Sequence, residues 1–249
     1  MKYFSILEPA SEKFRGVVHP QEDFLLVSKK YPIFAVADGV TLTQFLIEKK
    51  EYPNPSPAGD VTRVFCEEIV KAADARYESF EESDIKKVFR VANEAVGEYN
   101  KQKDNLYSAT AALVIIKNNK AYWCSICDSY VMHFDKNGNT KFKSQECRPY
   151  VVVNGEEKAN ELLNYGSFEV KESELIALFT DGFENYFKIP EFISLFQKWP
   201  ADLESQVKKF TVAKTEEDPE KFGHERSLIV ISCYGTNYGS KKYSEFLYY

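Results

Sequence analysis

Long hydrophobic runs are missing from this 249-residue chain. Nothing in it approaches the roughly 20 consecutive apolar residues that a membrane-spanning helix needs. The first residues, MKYFSILEPASEKF, lack a charged segment followed by an apolar stretch, so no secretory signal is expected there. A soluble, cytoplasmic protein without a membrane partner is the expectation. Positive charge is also in short supply: 32 Lys and Arg stand against 38 Asp and Glu, for a net charge of -6. That balance gives no reason to expect a nucleic-acid partner, because phosphate backbones attract basic faces. No G-x-S-x-G or C-x5-R pattern advertises a protein nucleophile, and no internal repeat is visible.

Cysteine is sparse and odd in number: Cys66, Cys124, Cys127, Cys147 and Cys233. Cys124 and Cys127 form a C-x-x-C, but zinc ribbons need a second pair, and redox pairs usually open a helix. This pair lies in AYWCSICDS, which reads as a strand, where positions three apart face opposite ways. Buried, reduced thiols are expected; a thiol or zinc protein is the remote alternative.

What is present is a set of short, wholly apolar segments: PIFAVA (32–37), TAALVII (110–116), LIALF (175–179) and LIVI (228–231). Such runs suit strands covered on both faces. Hairpin turns are expected at Asn118-Asn119 and Asn137-Gly138, residue types suited to positive φ. Two helices separate the early and middle strands. One is expected to be capped by Asp60, with Val61, Val64, Phe65 and Ile69 on one side. The other starts at Ser83 and buries Ile85, Val88, Phe89, Ala92, Val96 and Tyr99. A helical region over 190–213 is broken at Trp199-Pro200, while 48–59 and 214–223, including the acidic TEEDPE, read as loops. The Tyr-rich tail after Gly235 shows no pattern. No break separates two cores, so the fold class is α+β, one domain over 1–249 built from two sheets and outer helices.

The chemistry shows where the apolar strands stop. PIFAVA runs into Asp38-Gly39, CSIC into Asp128-Ser129, and LIALFT into Asp181-Gly182. A carboxylate at the edge of a dry core costs several kcal/mol unless it is paired or bound to a cation. Mg²⁺ or Mn²⁺, which take oxygen ligands and water, suit a cluster of aspartates. Each Asp-Gly alone is more often a simple turn, and Asp128 could equally be a hairpin-entry residue. His133 reads as an ordinary strand side chain, and Glu184 as solvent-facing.

Taken in order, QED (21–23), FAVADGV (34–40), SATAAL (108–113), ICDSYVM (126–132), LFTDGFENYF (178–187) and ERSLIVI (225–231) resemble the successive motifs of the metal-dependent protein phosphatases, the type 2C or PPM family. The likeness spans about residues 15–233. It implies a four-layer α-β-β-α sandwich of two mainly antiparallel sheets flanked by helices. It also implies a two-metal centre that hydrolyses phosphoserine or phosphothreonine in proteins through metal-activated water. Carried over, Asp38 would bridge both Mn²⁺ or Mg²⁺ ions, the Gly39 carbonyl would ligate one, and Asp181 would bind the second. Glu22 and Asp23 would hold ion-bound waters, and Asp128 would serve a weak third ion.

Five positions depart from the family pattern. Val18 stands where an arginine often grips the phosphate; His19 and Arg15 are the nearby substitutes. Val40 stands where some members carry a histidine proposed as general acid. Asn185 replaces an aspartate of the third-ion site. At the last motif, His224 and Glu225 stand where Asp-Asn or Asp-Asp is usual, leaving either as the ligand. The incomplete set keeps open an alternative, a pseudophosphatase of the same fold acting as a binding or regulatory module. Physiological substrate and oligomeric state are not legible.

Overall fold

The computed structural model describes residues 1–14, 19–40, 55–104, 107–146 and 150–233. Arg15, Val18, Cys147, the tail and most of the 48–56 loop lie outside the described residues. The described residues form ten strands: β1 Lys2–Glu8, β2 Phe24–Val27, β3 Ile33–Val40, β4 Ser108–Lys117, β5 Lys120–Ile126, β6 Tyr130–Phe134, β7 Thr140–Lys143, β8 Asn164–Glu169, β9 Leu175–Phe179 and β10 Arg226–Ser232. They make two five-stranded antiparallel sheets, in the orders β1-β10-β9-β6-β7 and β2-β3-β4-β5-β8.

Alternation along the strands sorts the core into layers, since successive side chains point to opposite faces. On β3, Phe34 and Val36 pack between the sheets with Val114, Ile176, Leu178 and Ile229. Ile33, Ala35 and Ala37 face outward onto helices α1 (Pro57–Asp74) and α2 (Asp84–Lys103), against Phe65, Ile69, Val88 and Phe89. On the other sheet, Ala177, Phe179, Leu228 and Val230 pack under Phe192 and Phe196 of α4 (Pro190–Lys198), Val207 of α5 (Leu203–Glu217) and Phe222 of α6 (Pro219–Phe222). A short α3 (Glu157–Glu161) lies within the connection from β7 to β8. The result is helix, sheet, sheet, helix, the four layers implied by the family resemblance.

That parity has a consequence at one end of the sandwich. Asp38 continues the Phe34, Val36 series on the inter-sheet face, as do Thr110 before Ala112, Thr180 after Leu178, and Ser227 before Ile229. The inter-sheet core therefore ends in polar residues that face each other from both sheets.

Several expected elements are corrected. The cap of α1 is Ser56, whose Oγ accepts from the Ala58 amide at 3.2 Å, with Pro57 in the first turn; Asp60 instead pairs with Arg63 and Tyr99. Proline fits the first helical turn because no partner for its nitrogen is needed there. Residues 57–59 are thus helical rather than loop. Ser83 does precede α2, but its side chain makes no capping bond; the carboxylate of Asp84 accepts from the Glu81 amide instead. The acidic stretch TEEDPE is not a loop: α5 continues to Glu217, and Asp218-Pro219 opens α6, with the Asp218 side chain accepting from the Lys221 amide. Glu184 is half-buried and paired with Lys143 at 2.9 Å, not turned freely to solvent. The break at Trp199 is real, with φ of 44°. Both hairpins form: Asn118 and Asn119 have φ of 50° and 60°, and Gly138 has φ of +82°, while Asn137 does not take a positive φ. Cys66, Cys124, Cys127 and Cys233 are buried free thiols. His133 is a core residue, its Nε2 2.8 Å from Glu174. Among the described residues, no helix is long and apolar enough to cross a membrane.

Candidate metal centre

At the polar end of the sandwich, carboxylate oxygens of Asp23, Asp38 and Glu225 lie within 4.8 Å of one another, and all three residues are buried. They arrive from three directions. Asp38 comes from β3, Glu225 from the residue before β10, and Asp23 from the segment leading into β2.

Each is held in place. Asp23 Oδ2 accepts from Thr180 Oγ1 at 2.6 Å, and Thr180 Oγ1 accepts from the Ser227 amide at 2.9 Å. Glu225 Oε2 accepts from the Glu22 amide at 2.7 Å and from Gln21 Nε2 at 3.3 Å. Glu22 is buried too, but its carboxylate turns away to accept from Ser56 Oγ, and its carbonyl accepts from Thr62 Oγ1 at 2.7 Å. Gly39 allows this packing: a Cβ there would lie 2.8 Å from the Glu22 Cβ and 3.0 Å from the Ala58 carbonyl carbon. At Gly182 a Cβ would sit 2.1 Å from the Glu225 carbonyl oxygen, so the turn after β9 presses directly on the segment carrying Glu225.

The remaining expected residues surround this group. Asp181, about a third exposed, has Oδ1 3.6 Å from Nδ1 of His224. That same Nδ1 is 2.8 Å from the Glu225 carbonyl oxygen. A carbonyl only accepts, so Nδ1 carries the hydrogen and is not a free lone pair. Glu225, not His224, is the member of the tight buried group. His224 instead stands edge-on to Phe14, with centroids 5.0 Å apart. His19 also meets Phe14, at 5.4 Å. Asp128 follows β5 with Oδ1 buried and without a hydrogen-bond partner. Asn185 is drawn off elsewhere: its Nδ2 donates to the Lys221 carbonyl at 3.2 Å, and its Oδ1 accepts from Lys188 at 3.1 Å. Val40 closes β3 with no titratable group.

The electrostatics of the cluster call for a cation. Burial, then the charges of Asp23, Asp181 and Glu225, push the Asp38 carboxyl well above its ordinary range. Burial lifts Asp23 to about 6, against the lowering bonds from Thr180 and Asp38. Burial and Asp23 lift Glu225 to about 9. Burial and Asp181 raise Asp128. Asp23 Oδ1 is buried with no amide or hydroxyl donor, so Asp38 relieves it only by holding a proton. Buried, donor-poor carboxylate oxygens fit a hard divalent cation such as Mg²⁺ or Mn²⁺.

Sequence reasoning did not find Gln21, Ser56, Thr180 or Ser227 as organisers of the site. The one signal for Thr180 in the sequence was its place directly before Asp181.

The family model described as protein phosphatase 2C matches residues 17–214. The chain belongs to that family. Its fold is that of solved protein phosphatase 2C relatives. The serine/threonine phosphatase PstP/Ppp of Mycobacterium tuberculosis superposes with a TM-score of 0.65 at 13% identity, covering 94% of this chain and 99% of that one. The catalytic domain of PstP in complex with two manganese ions gives 0.61 at 12%, covering 92% and 96%. RsbX in complex with magnesium gives 0.56 at 13%, covering 92% of each. Comparison with curated proteins returned no match. The match to the protein phosphatase 2C model stops before His224 and Glu225, the part of the site where this chain departs most from the family pattern.

The raised carboxyls fix the sign of a pH dependence. Asp23 and Glu225 titrate higher folded than unfolded, so their contribution to stability is complete below about pH 4 and is lost as pH rises. The loss runs through about 6 for Asp23 and about 9 for Glu225. Metal-free protein should therefore melt at progressively lower temperature from pH 5 to 9, and saturating Mn²⁺ should reverse most of that fall. Melting curves at several pH values, with and without Mn²⁺, check this. A metal-free melting temperature that climbs with pH would contradict it.

Proposed function

We propose that the chain is a metal-dependent phosphatase acting on phosphoserine or phosphothreonine in proteins, with two Mn²⁺ or Mg²⁺ ions and a weaker third. The observation that carries the reading is the convergence of three buried carboxylates at the polar end of the inter-sheet core. Family membership supports it, as do the manganese and magnesium in the titles of the PstP and RsbX structures.

Asp38, Asp23 and Glu225 would hold the ions, with Asp181 and the Gly39 carbonyl beside them and Asp128 serving the third. Divalent ions there supply Lewis acidity, neutralising charge on phosphoryl oxygens and making water more acidic. The protein's own contribution is preorganisation. Thr180 fixes Asp23, and the Glu22 amide with Gln21 fixes Glu225, so the acceptors stand in place before substrate arrives. Glu22 braces the segment rather than the cluster, through Ser56 and Thr62. Hydrolysis cleaves the P–O ester bond and gives the free hydroxyl side chain and inorganic phosphate. Val40 offers no proton to the departing oxygen.

Asn185 is held by Lys221 and Lys188, and Asp181 lies outside the tight carboxylate group. These two features favour, as a second reading, a member of the family that binds without turning over.

Purified protein should hydrolyse phosphomonoesters only with added Mn²⁺ or Mg²⁺, and chelation by EDTA should stop it. Asp38→Asn should fold and lose at least about 10²-fold in kcat, the scale of losing one preorganised electrostatic group. Turnover in excess EDTA, or an Asp38→Asn variant within tenfold of wild type, would sink the mechanism. Mn²⁺ binding without any turnover on phosphopeptides would favour the second reading.

The orientation of the last motif makes a separate prediction. Glu225→Gln should raise the Mn²⁺ concentration for half-maximal activity by tenfold or more, the scale of losing a charge-assisted contact. His224→Ala should change it by less than about threefold, within the scale of a neutral hydrogen bond. Activation curves for both variants decide the matter; the reverse order would make His224 the ligand.

A further inference from the structure

The apolar core between the sheets ends at Val36, Ala112, Val131, Leu178 and Ile229. Beyond them, at the metal end, polar side chains join the sheets. The Thr180–Asp23 bond ties the end of β9 to the segment before β2. A second bond ties Thr110 Oγ1 of β4 to Ser129 Oγ, just before β6, at 2.7 Å. Thr110 and Ser129 are both fully buried. Because β3 lies between β2 and β4, the two bonds flank Asp38.

Packing alone does not account for the Thr110–Ser129 pair. Replacing two bonded, buried hydroxyls with apolar groups of the same shape is nearly neutral for stability. The neighbours of the pair give it a second use. Thr110 is the register partner of Asp38 across β3 and β4, and cross-strand partners share a face. Ser129 directly follows Asp128, after Cys127 has turned with φ of 61° at the end of β5. The pairing of Tyr130 with Phe179, carried two residues further, brings Asp128 opposite Asp181. Asp128 Oδ1 is buried and has no donor of its own. The position of that oxygen therefore depends on the backbone that carries it, and Ser129 pins this backbone to Thr110. In a water-poor interior such a bond is stronger than it is in water.

We propose that Thr110 and Ser129 are positioning residues for the metal centre. Their hydrogen bond locks Asp128 to the strand beside Asp38, and so sets the span that a cation must bridge between those carboxylates. The inference rests on the metal-centre reading above and extends it to two residues outside the carboxylate group.

The test is calorimetric titration of Mn²⁺ into full-length, metal-free protein, with melting curves beside it. The Mn²⁺ site that Asp128→Asn weakens identifies the ion served by Asp128. Ser129→Ala strands the Thr110 hydroxyl, whereas Thr110→Val with Ser129→Ala removes both hydroxyls at nearly constant shape. The double variant should regain the thermal stability that Ser129→Ala loses. Its affinity at that Mn²⁺ site should nonetheless stay about tenfold below wild type, the scale of one displaced contact to a charged group. Added to Asp128→Asn, the same two substitutions should change Mn²⁺ binding by less than about twofold, as expected of residues acting through one partner. Affinity that returns with stability in the double variant makes the pair a packing feature and overturns the proposal. A loss that persists in the Asp128→Asn background, or an Asp128→Asn protein that binds Mn²⁺ like wild type, also overturns it while leaving the rest of the metal centre intact. If the double variant does not fold, Ser129→Ala decides alone: the same loss of affinity upholds the proposal, and wild-type affinity overturns it. Wild-type protein that binds no Mn²⁺ overturns the metal-centre reading together with the proposal.

Discussion

Burial of Asp23, Asp38 and Glu225 against one another is the constraint around which the molecule is arranged. An uncompensated buried carboxylate costs several kcal/mol, and a domain's whole stability is about 5–15 kcal/mol. Three such groups within 4.8 Å survive only because the rest of the structure fixes them there. Protons shared within the cluster relieve the repulsion in the metal-free chain, and divalent ions relieve it better. The two sheets supply the geometry: their inter-sheet faces run out of apolar residues at the same end and continue as Asp38, Thr110, Thr180 and Ser227.

Support reaches well beyond the cluster. Arg226, nearly fully buried at the start of β10, pairs with Glu8 of β1 at 2.6 Å and donates to the carbonyls of Phe222 and His224. It also lies 5.3 Å from the Tyr186 ring. One guanidinium thus ties the edge strand, α6 and the segment bearing Glu225 together. Gly182 keeps the turn after β9 close enough to share that anchorage. Phe183, Tyr186 and Phe187 anchor the segment after Asp181 by packing against Phe192 of α4. Substitutions there should reach the site through backbone position rather than chemistry.

Much of this was legible in the sequence. Wholly apolar runs correctly marked β3, β4, β9 and β10 as strands covered on both faces, and the ordered motifs gave the layers. What was not legible has physical causes. A strand buried on both faces hides its own alternation, so nothing showed that Asp38 and Thr180 look inward between the sheets. Proline misled twice: Pro57 and Pro219 open helices here, where a proline-rich or acidic context reads as loop. At the last motif, spacing could not choose between His224 and Glu225. The folded chain sets the two apart, with Glu225 in the buried carboxylate group and the His224 Nδ1 bonded to the neighbouring carbonyl.

The central claim is that the three carboxylates share protons when metal-free and exchange them for a cation. Calorimetric titration of Mn²⁺ into metal-free protein at pH 7, repeated in buffers of different ionisation enthalpy, measures that exchange directly. The account predicts saturable binding that releases about one proton or more per protein, since metal can bind only the deprotonated carboxylates. Binding with no proton release, or no binding at all, would contradict it.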